Sequence, residues 1–297
     1  MSSIKNVAIA GATGYLGPAV VKAVKEAGFN VTVLLRLSNS SEVAFEGVQI
    51  ARIDYGSAES LVDALKGQDA VVSTMNHLYH DEQKALVEAA DKAGVKRFLP
   101  SDYGLDVSIP AVRVIPYLRA KGLIQDLLKE SSMTYTVLYT GPFLEWALDN
   151  FYVDWKTGVA QVWNGGDISV GISTLADTGR AVVNTLLNPK ETENKEFYTT
   201  SAMATQNEIL SAVQEGRPDL KLSIIHQDSK TSLAAAYEAA NAGRSMEYEV
   251  VRDFLGSTIY GLEVEAGVPY GRDNALLGVK MVTSEEFKQL VINHVKK

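Results

Sequence analysis

A chain of 297 residues that is 46% hydrophobic and 22% charged can bury a sizeable core and lacks the low-hydrophobicity, high-charge signature of a disordered protein. Its formal net charge of -8, without any run of Lys and Arg, argues against a nucleic-acid partner, because that kind of affinity comes from clustered cations. The absence of cysteine excludes disulfides and thiolate metal sites and suits a reducing compartment, while the first apolar run is too short for a signal sequence or a membrane span.

His77 and His80 stand three apart without a third ligand in register, so no metal is expected. The protein is expected to remain cytoplasmic.

From residue 6 onward, short β-rich apolar runs alternate with amphipathic helical stretches, the order that builds right-handed βαβ units on a parallel sheet. Strands are predicted at 6–10, 31–35, 48–53, 70–74, 97–100 and 135–139. Helices are predicted between them at 16–27, 58–65, 81–93 and 117–129, several closed by a glycine such as Gly28, Gly67 or Gly94. Past Phe143 the rhythm breaks into an aromatic segment, a strand at 159–163, a turn at 164–167 and a strand running to Ser173. A helix from Asp177, a strand at 197–200, a helix at 206–214 and a strand at 220–225 follow. The final helix opens at Thr283, with Glu286 in capping-box register. This divides the chain into a doubly wound α/β domain over 1–150 and a smaller mixed α/β lobe over 151–297, some segments of which return to the first sheet. A ligand cleft is expected between them.

The sequence Gly11-Ala12-Thr13-Gly14-Tyr15-Leu16-Gly17 directly follows the first strand and opens the first helix. That context turns a weak glycine pattern into a dinucleotide-binding signal of the Rossmann type. Gly11 allows the tight turn, Gly14 lets backbone approach a pyrophosphate, and Gly17 lets helix and strand pack closely, with Thr13, Tyr15 and Leu16 between them. At the end of the second strand an acid would select the ribose of NAD, and a cation the 2′-phosphate of NADP. The residue there is Arg36, with no Asp or Glu until Glu42, so NADP(H) is the expected cofactor. Asp54, ending the third strand, is placed either to reach the adenine or to cap the next turn. Thr74, Met75 and Asn76 end the fourth strand, where the backbone passes the nicotinamide ribose, and Pro142 and Phe143 follow the sixth, facing the nicotinamide.

Tyr117 and Lys121 are four apart, a spacing that puts both on one helix face, where an ammonium and the helix N-terminus would favour the phenolate. Tyr152 and Lys156 repeat the spacing outside this register, so the pattern alone decides nothing. Ser101 follows the fifth strand at the ligand-binding edge of the sheet and either donates to a substrate oxygen or caps a turn. Trp146, Trp155 and Trp163 fall close together with Phe143, Phe151 and Tyr152, which suits a flat aromatic substrate or, alternatively, a core or homodimer contact. Glu145, Asp149 and Asp154 in the same stretch suit a cationic substrate or a solvated face, and His77 either touches substrate or is solvated.

The loop GATGYLG, the arginine after the second strand, the stretch VKRFLPSDYG at 95–104, the lysine in YLRAKGLI at 117–124 and TYTVLYTGPF at 134–143 together resemble the atypical short-chain dehydrogenases, the group of isoflavone reductase-like and NmrA-like proteins. The resemblance runs from residue 4 to about 215, and it implies that Lys121 sits beside the nicotinamide. Asp102 and Tyr103 stand where the plant reductases usually carry Glu-Phe, a difference that falls on the substrate contacts.

Together these readings give an NADPH-dependent reductase of a small aromatic or polycyclic secondary metabolite, reducing a carbonyl, enone or quinone-methide-like carbon. Lys121, Tyr117 and Ser101 are its candidate catalytic groups, and Trp146, Tyr103 and His77 its candidate substrate contacts. The alternatives are an NADP(H)-sensing regulator and a cofactor-bound isomerase or cyclase.

Overall fold

The computed structural model describes residues 4–38, 45–261 and 268–297, with the side chain of His77 outside the described set. The first half lays down β1 (Asn6–Ala10), α1 (Gly17–Glu26), β2 (Asn30–Arg36), β3 (Gln49–Ile53), α2 (Ala58–Leu65), β4 (Ala70–Ser73), α3 (His80–Lys92) and β5 (Arg97–Leu99). A short α4 (Pro110–Arg113) then precedes α5 (Arg119–Glu130) and β6 (Thr134–Tyr139). The second half contributes α6 (Leu144–Asn150), β7 (Val153–Asp154), β8 (Val159–Trp163), β9 (Val170–Ile172), α7 (Leu175–Leu187), β10 (Lys195–Tyr198) and β11 (Ala202–Ala204). It ends with α8 (Gln206–Gly216), β12 (Ser223–Gln227), α9 (Ser229–Ala239), α10 (Tyr248–Ile259), α11 (Asn274–Leu277) and α12 (Ser284–Val295).

The strands β1, β4 and most of β2 are largely apolar runs buried on both faces, and β5 is buried throughout, Arg97 included, the mark of a parallel sheet covered by helices on each side. Seven strands form that sheet in the order β10-β6-β5-β4-β1-β2-β3, every neighbouring pair parallel. This is the Rossmann-type doubly wound α/β fold. Strand order reverses between β1 and β4, so the chain leaving these two strands diverges to opposite faces and opens a crevice at their carboxyl ends. β10, from the second half, extends the sheet beyond β6. A three-stranded sheet β12-β8-β7 and a two-stranded pair β11-β9 build the smaller mixed lobe, where Trp163, Phe151, Tyr152, Phe254 and Tyr260 are buried together. Among the described residues no helix is long and apolar enough to cross a membrane.

The predicted elements differ from the observed ones where local chemistry overrides periodicity. The helix expected from Tyr117 begins at Arg119, leaving Tyr117 in the preceding turn. The helix expected from Asp177 starts two residues earlier, because the Thr174 hydroxyl accepts from the Asp177 amide at 3.1 Å and caps it. The strand expected at 220–225 is Ser223–Gln227, a mostly exposed strand pairing parallel with β8. The aromatic segment hides α6, which the sequence pattern did not reveal. At the C-terminus both halves of the predicted capping box form, the Thr283 hydroxyl accepting from the Glu286 amide while Glu286 accepts from the Thr283 amide.

Candidate active site

The crevice between β1 and β4 is tight because its first turn has no side chain. Gly11 has φ +78°, and a Cβ there would stand 2.6 Å from the Thr74 carbonyl carbon. A Cβ at Gly17 would meet the Gly11 oxygen at 2.3 Å, so α1 can seat against the loop only with glycine at that position. Thr74 prolongs the β4 register by donating both its amide and its hydroxyl to the Ala10 carbonyl, each at 2.9 Å. The loop and β4 are thereby locked together, and a hollow of about 390 Å³ lies against them. Gly11, Thr13, Gly14 and Arg36 line it, with Thr74, Met75 and Asn76 on the other wall.

Arg36 is held by two rings that the sequence reading did not find. Its guanidinium lies 4.0 Å from the Tyr79 ring centre and 5.4 Å from that of Tyr55, and Nη2 donates to Glu82 Oε1 at 3.3 Å. Their signal in the sequence is only positional, Tyr55 just past β3 and Tyr79 just before α3. Asp54 lies in an adjoining shallow hollow, where its carboxylate accepts from the Gly56 amide at 2.9 Å, the turn-capping half of its two expected roles.

A second cleft, of about 290 Å³, opens on the other side of the glycine loop and shares Gly14, Thr74, Met75 and Asn76 with the first. It gathers most of the remaining expected residues. Ser101, Tyr103, Tyr117 and Lys121 form its inner wall, Tyr15 and Leu16 its loop side, and Pro142, Phe143 and Trp146 its roof. The far wall is Val251, Leu255 and Ile259 of α10, which the sequence reading left without a role. Their i, i+4, i+8 spacing was the available signal.

Within the cleft the polar groups are unevenly committed. Ser101 donates its hydroxyl proton to the Met75 carbonyl at 2.7 Å, and its amide donates to Gln83, contacts that tie the ends of β4 and β5 together at the cleft. Tyr117 and Lys121 both line the cleft, with Tyr117 in the turn just before α5 rather than in its first helical turn. Lys121 Nζ donates to the Tyr103 carbonyl at 3.3 Å. Burial lowers the lysine's pKa, and the charge of Asp102 resists that fall. Asp102 is fully buried; burial pushes its carboxyl up to about 6, against the pull of Lys121 and of Gln125, whose Nε2 donates to it at 2.8 Å. The Tyr103 hydroxyl is buried without a hydrogen-bond partner among the described residues, and burial together with Asp102 holds it in the protonated form.

The aromatic segment divides. Trp146, Phe143 and Phe151 reach the cleft, whereas Trp163 is fully buried in the core, stacked on Phe151 with centroids 5.4 Å apart. Trp155 donates its indole N–H to the Leu148 carbonyl at 2.8 Å, and Tyr152 shares a hydrogen bond with Tyr260 at 2.8 Å. Of the two readings open for this cluster, Trp155, Tyr152 and Trp163 are engaged in packing contacts, while Trp146 borders the cleft. The acids of the same stretch are also engaged: Glu145 accepts from the Leu175 amide, Asp149 bonds Tyr15 and His294, and Asp154 accepts from the Lys156 amide. The expectation for His77 falls on a side chain outside the described residues.

The sequence matches the NmrA-like family model over residues 3–222, about three quarters of the chain. The chain belongs to the NmrA-like family. It is 33% identical to oxidoreductase aprR of Aspergillus flavus over 253 residues, covering 80% of this chain and 82% of that one. It is 30% identical to an isoflavone reductase homolog of Solanum tuberosum over 231 residues, covering 71% and 74%. Within the family this NmrA-like protein is thus an oxidoreductase of the isoflavone reductase type. Its fold superposes on the leucoanthocyanidin reductase–NADPH complex from Vitis vinifera with a TM-score of 0.78 at 24% identity, over 97% of this chain and 99% of the other.

Proposed function

We propose that this NmrA-like protein is an NADPH-dependent reductase of a small aromatic or polycyclic secondary metabolite. The observation that carries the reading is continuity: a glycine-walled hollow ending in Arg36 opens, past Thr74, Met75 and Asn76, into an apolar cleft containing Lys121. The cofactor fits the residues present. A Cβ at Gly14 would stand 3.2 Å from the Gly11 oxygen, so the loop keeps its backbone free of side chains where a pyrophosphate would lie at the start of α1. Arg36 supplies a guanidinium, stacked and oriented, for the 2′-phosphate. The leucoanthocyanidin reductase neighbour, solved with NADPH, supports the same assignment.

NADPH, when bound, supplies the hydride. The chain's own residues position and protonate: Phe143, Trp146 and the α10 wall exclude water and accept a flat ring, while Lys121 holds or passes a proton at the substrate end. Residues 1–150 carry the cofactor groups, and 151–297 supply the α10 wall, with β10 returning to the main sheet.

NADPH oxidation measured against a panel of aromatic ketones, enones and benzylic ethers tests the proposal. Lys121→Ala should lower turnover by about 10²–10⁴-fold while leaving NADP⁺ affinity and the melting temperature near those of the parent. Full turnover in Lys121→Ala would refute the proton role of Lys121, and failure of the parent to oxidise NADPH with any of the panel while binding NADP⁺ would favour the sensor or cyclase alternative.

A further inference from the structure

The surroundings of Arg36 are acidic. In the shallow hollow beside it, Asp54, Asp81 and Glu82 all contribute to the wall, so among the described residues three carboxylates accompany one guanidinium. Glu82 is in direct contact, Oε1 lying 3.3 Å from Arg36 Nη2, and both side chains are only about a third exposed, at 30% and 38%. Tyr79 covers one face of the guanidinium and Tyr55 flanks it, so its in-plane N–H groups are the donors left for an anion. One of those nitrogens already points at Glu82.

A 2′-phosphate arriving at Arg36 would meet this carboxylate as a like charge and compete with it for the same donors. An unphosphorylated ribose, whose hydroxyls can donate to a carboxylate, would not. We infer that Glu82 is a specificity-determining residue of the dinucleotide site: it withholds part of the Arg36 charge from the 2′-phosphate and narrows the preference for NADP(H) over NAD(H). This rests on the dinucleotide reading proposed above. It assigns a role to the first turn of α3, where Glu82 also lies favourably against the helix N-terminus.

Calorimetric titration tests it with four probes: NADP⁺ and NAD⁺, and the fragments adenosine 2′,5′-bisphosphate and 5′-AMP, which differ by the 2′-phosphate alone. Glu82→Gln should tighten NADP⁺ and adenosine 2′,5′-bisphosphate by roughly fivefold or more while NAD⁺ and 5′-AMP stay within about twofold or weaken. Glu82→Asp keeps the charge at the helix terminus but draws it back from Arg36, and should fall between parent and Glu82→Gln. Binding of both dinucleotides with an unchanged ratio in Glu82→Gln would overturn the role of Glu82 and leave the cofactor site standing. Equal tightening of all four probes would also overturn it, reducing the effect to general electrostatics. If the parent bound none of the four, the dinucleotide reading itself would fail, and this inference with it.

Discussion

Asp102 offers a way to measure the electrostatics of the cleft without a substrate. Its carboxyl is fully buried, one oxygen held by Gln125 and the other without a partner among the described residues, and it is pushed up to about 6. An unfolded aspartate titrates near 3.9, so between about pH 4 and 6 the folded chain holds a proton that the unfolded chain has lost. The sign follows: ionising Asp102 costs stability as pH rises through that window, and the cost is complete above it. A displacement of about two pKa units corresponds to ~3 kcal/mol, an upper figure because Asp102 and Lys121 are coupled. Asp102→Asn removes the titration while keeping the shape. Its stability relative to the parent should therefore improve by ~1–3 kcal/mol on going from about pH 4 to pH 7, read from urea denaturation at a series of pH values. The catalytic counterpart has the same origin: because the Asp102 charge raises the Lys121 pKa, Asp102→Asn should move the alkaline limb of kcat/KM to lower pH. A stability difference independent of pH would show that Asp102 does not titrate there, and an alkaline limb unmoved in Asp102→Asn would separately refute its electrostatic effect on Lys121.

Two further outcomes follow from packing around the same crevice. Gly17→Ala places a Cβ within 2.3 Å of the Gly11 oxygen, backbone that cannot swing away, so NADP⁺ affinity by calorimetry should fall at least about tenfold, with a lower melting temperature. Unaltered affinity would mean the loop does not hold the pyrophosphate. Trp146→Ala should weaken quenching of tryptophan fluorescence by 2-naphthol with little effect on melting, whereas Trp163→Ala, emptying a fully buried site, should cost about 3–5 kcal/mol of stability. The reverse pattern would exchange the wall and core roles given to the two residues.

The Rossmann half was legible because its signals are local. A buried parallel strand is an uninterrupted apolar run, and Gly11, Gly14 and Gly17 state their backbone requirement directly in the sequence. Boundaries failed where a single hydrogen bond decides them, as at Thr174. The site was legible in proportion to its dependence on that frame. Arg36, Thr74 and Lys121 could be placed because a strand end or a helix start places them, but the partners that tune them come from distant segments: Glu82 and Tyr79 from the start of α3, and Val251, Leu255 and Ile259 from α10.

The aromatic segment shows why composition alone could not finish the reading. Trp146 and Trp163 are separated by 17 positions and share the same chemistry, yet one borders the cleft and the other is sealed in the core. The glycine at 256 makes room for the buried one, since a Cβ there would stand 2.2 Å from the Trp163 ring. That gap in α10 lets the helix close over Trp163, while Val251, Leu255 and Ile259 of the same helix are presented to the cleft. One helix thus touches both the core around Trp163 and the cleft. A substitution at Gly256 would act on the cleft through the core, and a loss of ligand binding there has to be read beside a melting curve before it is assigned to the site.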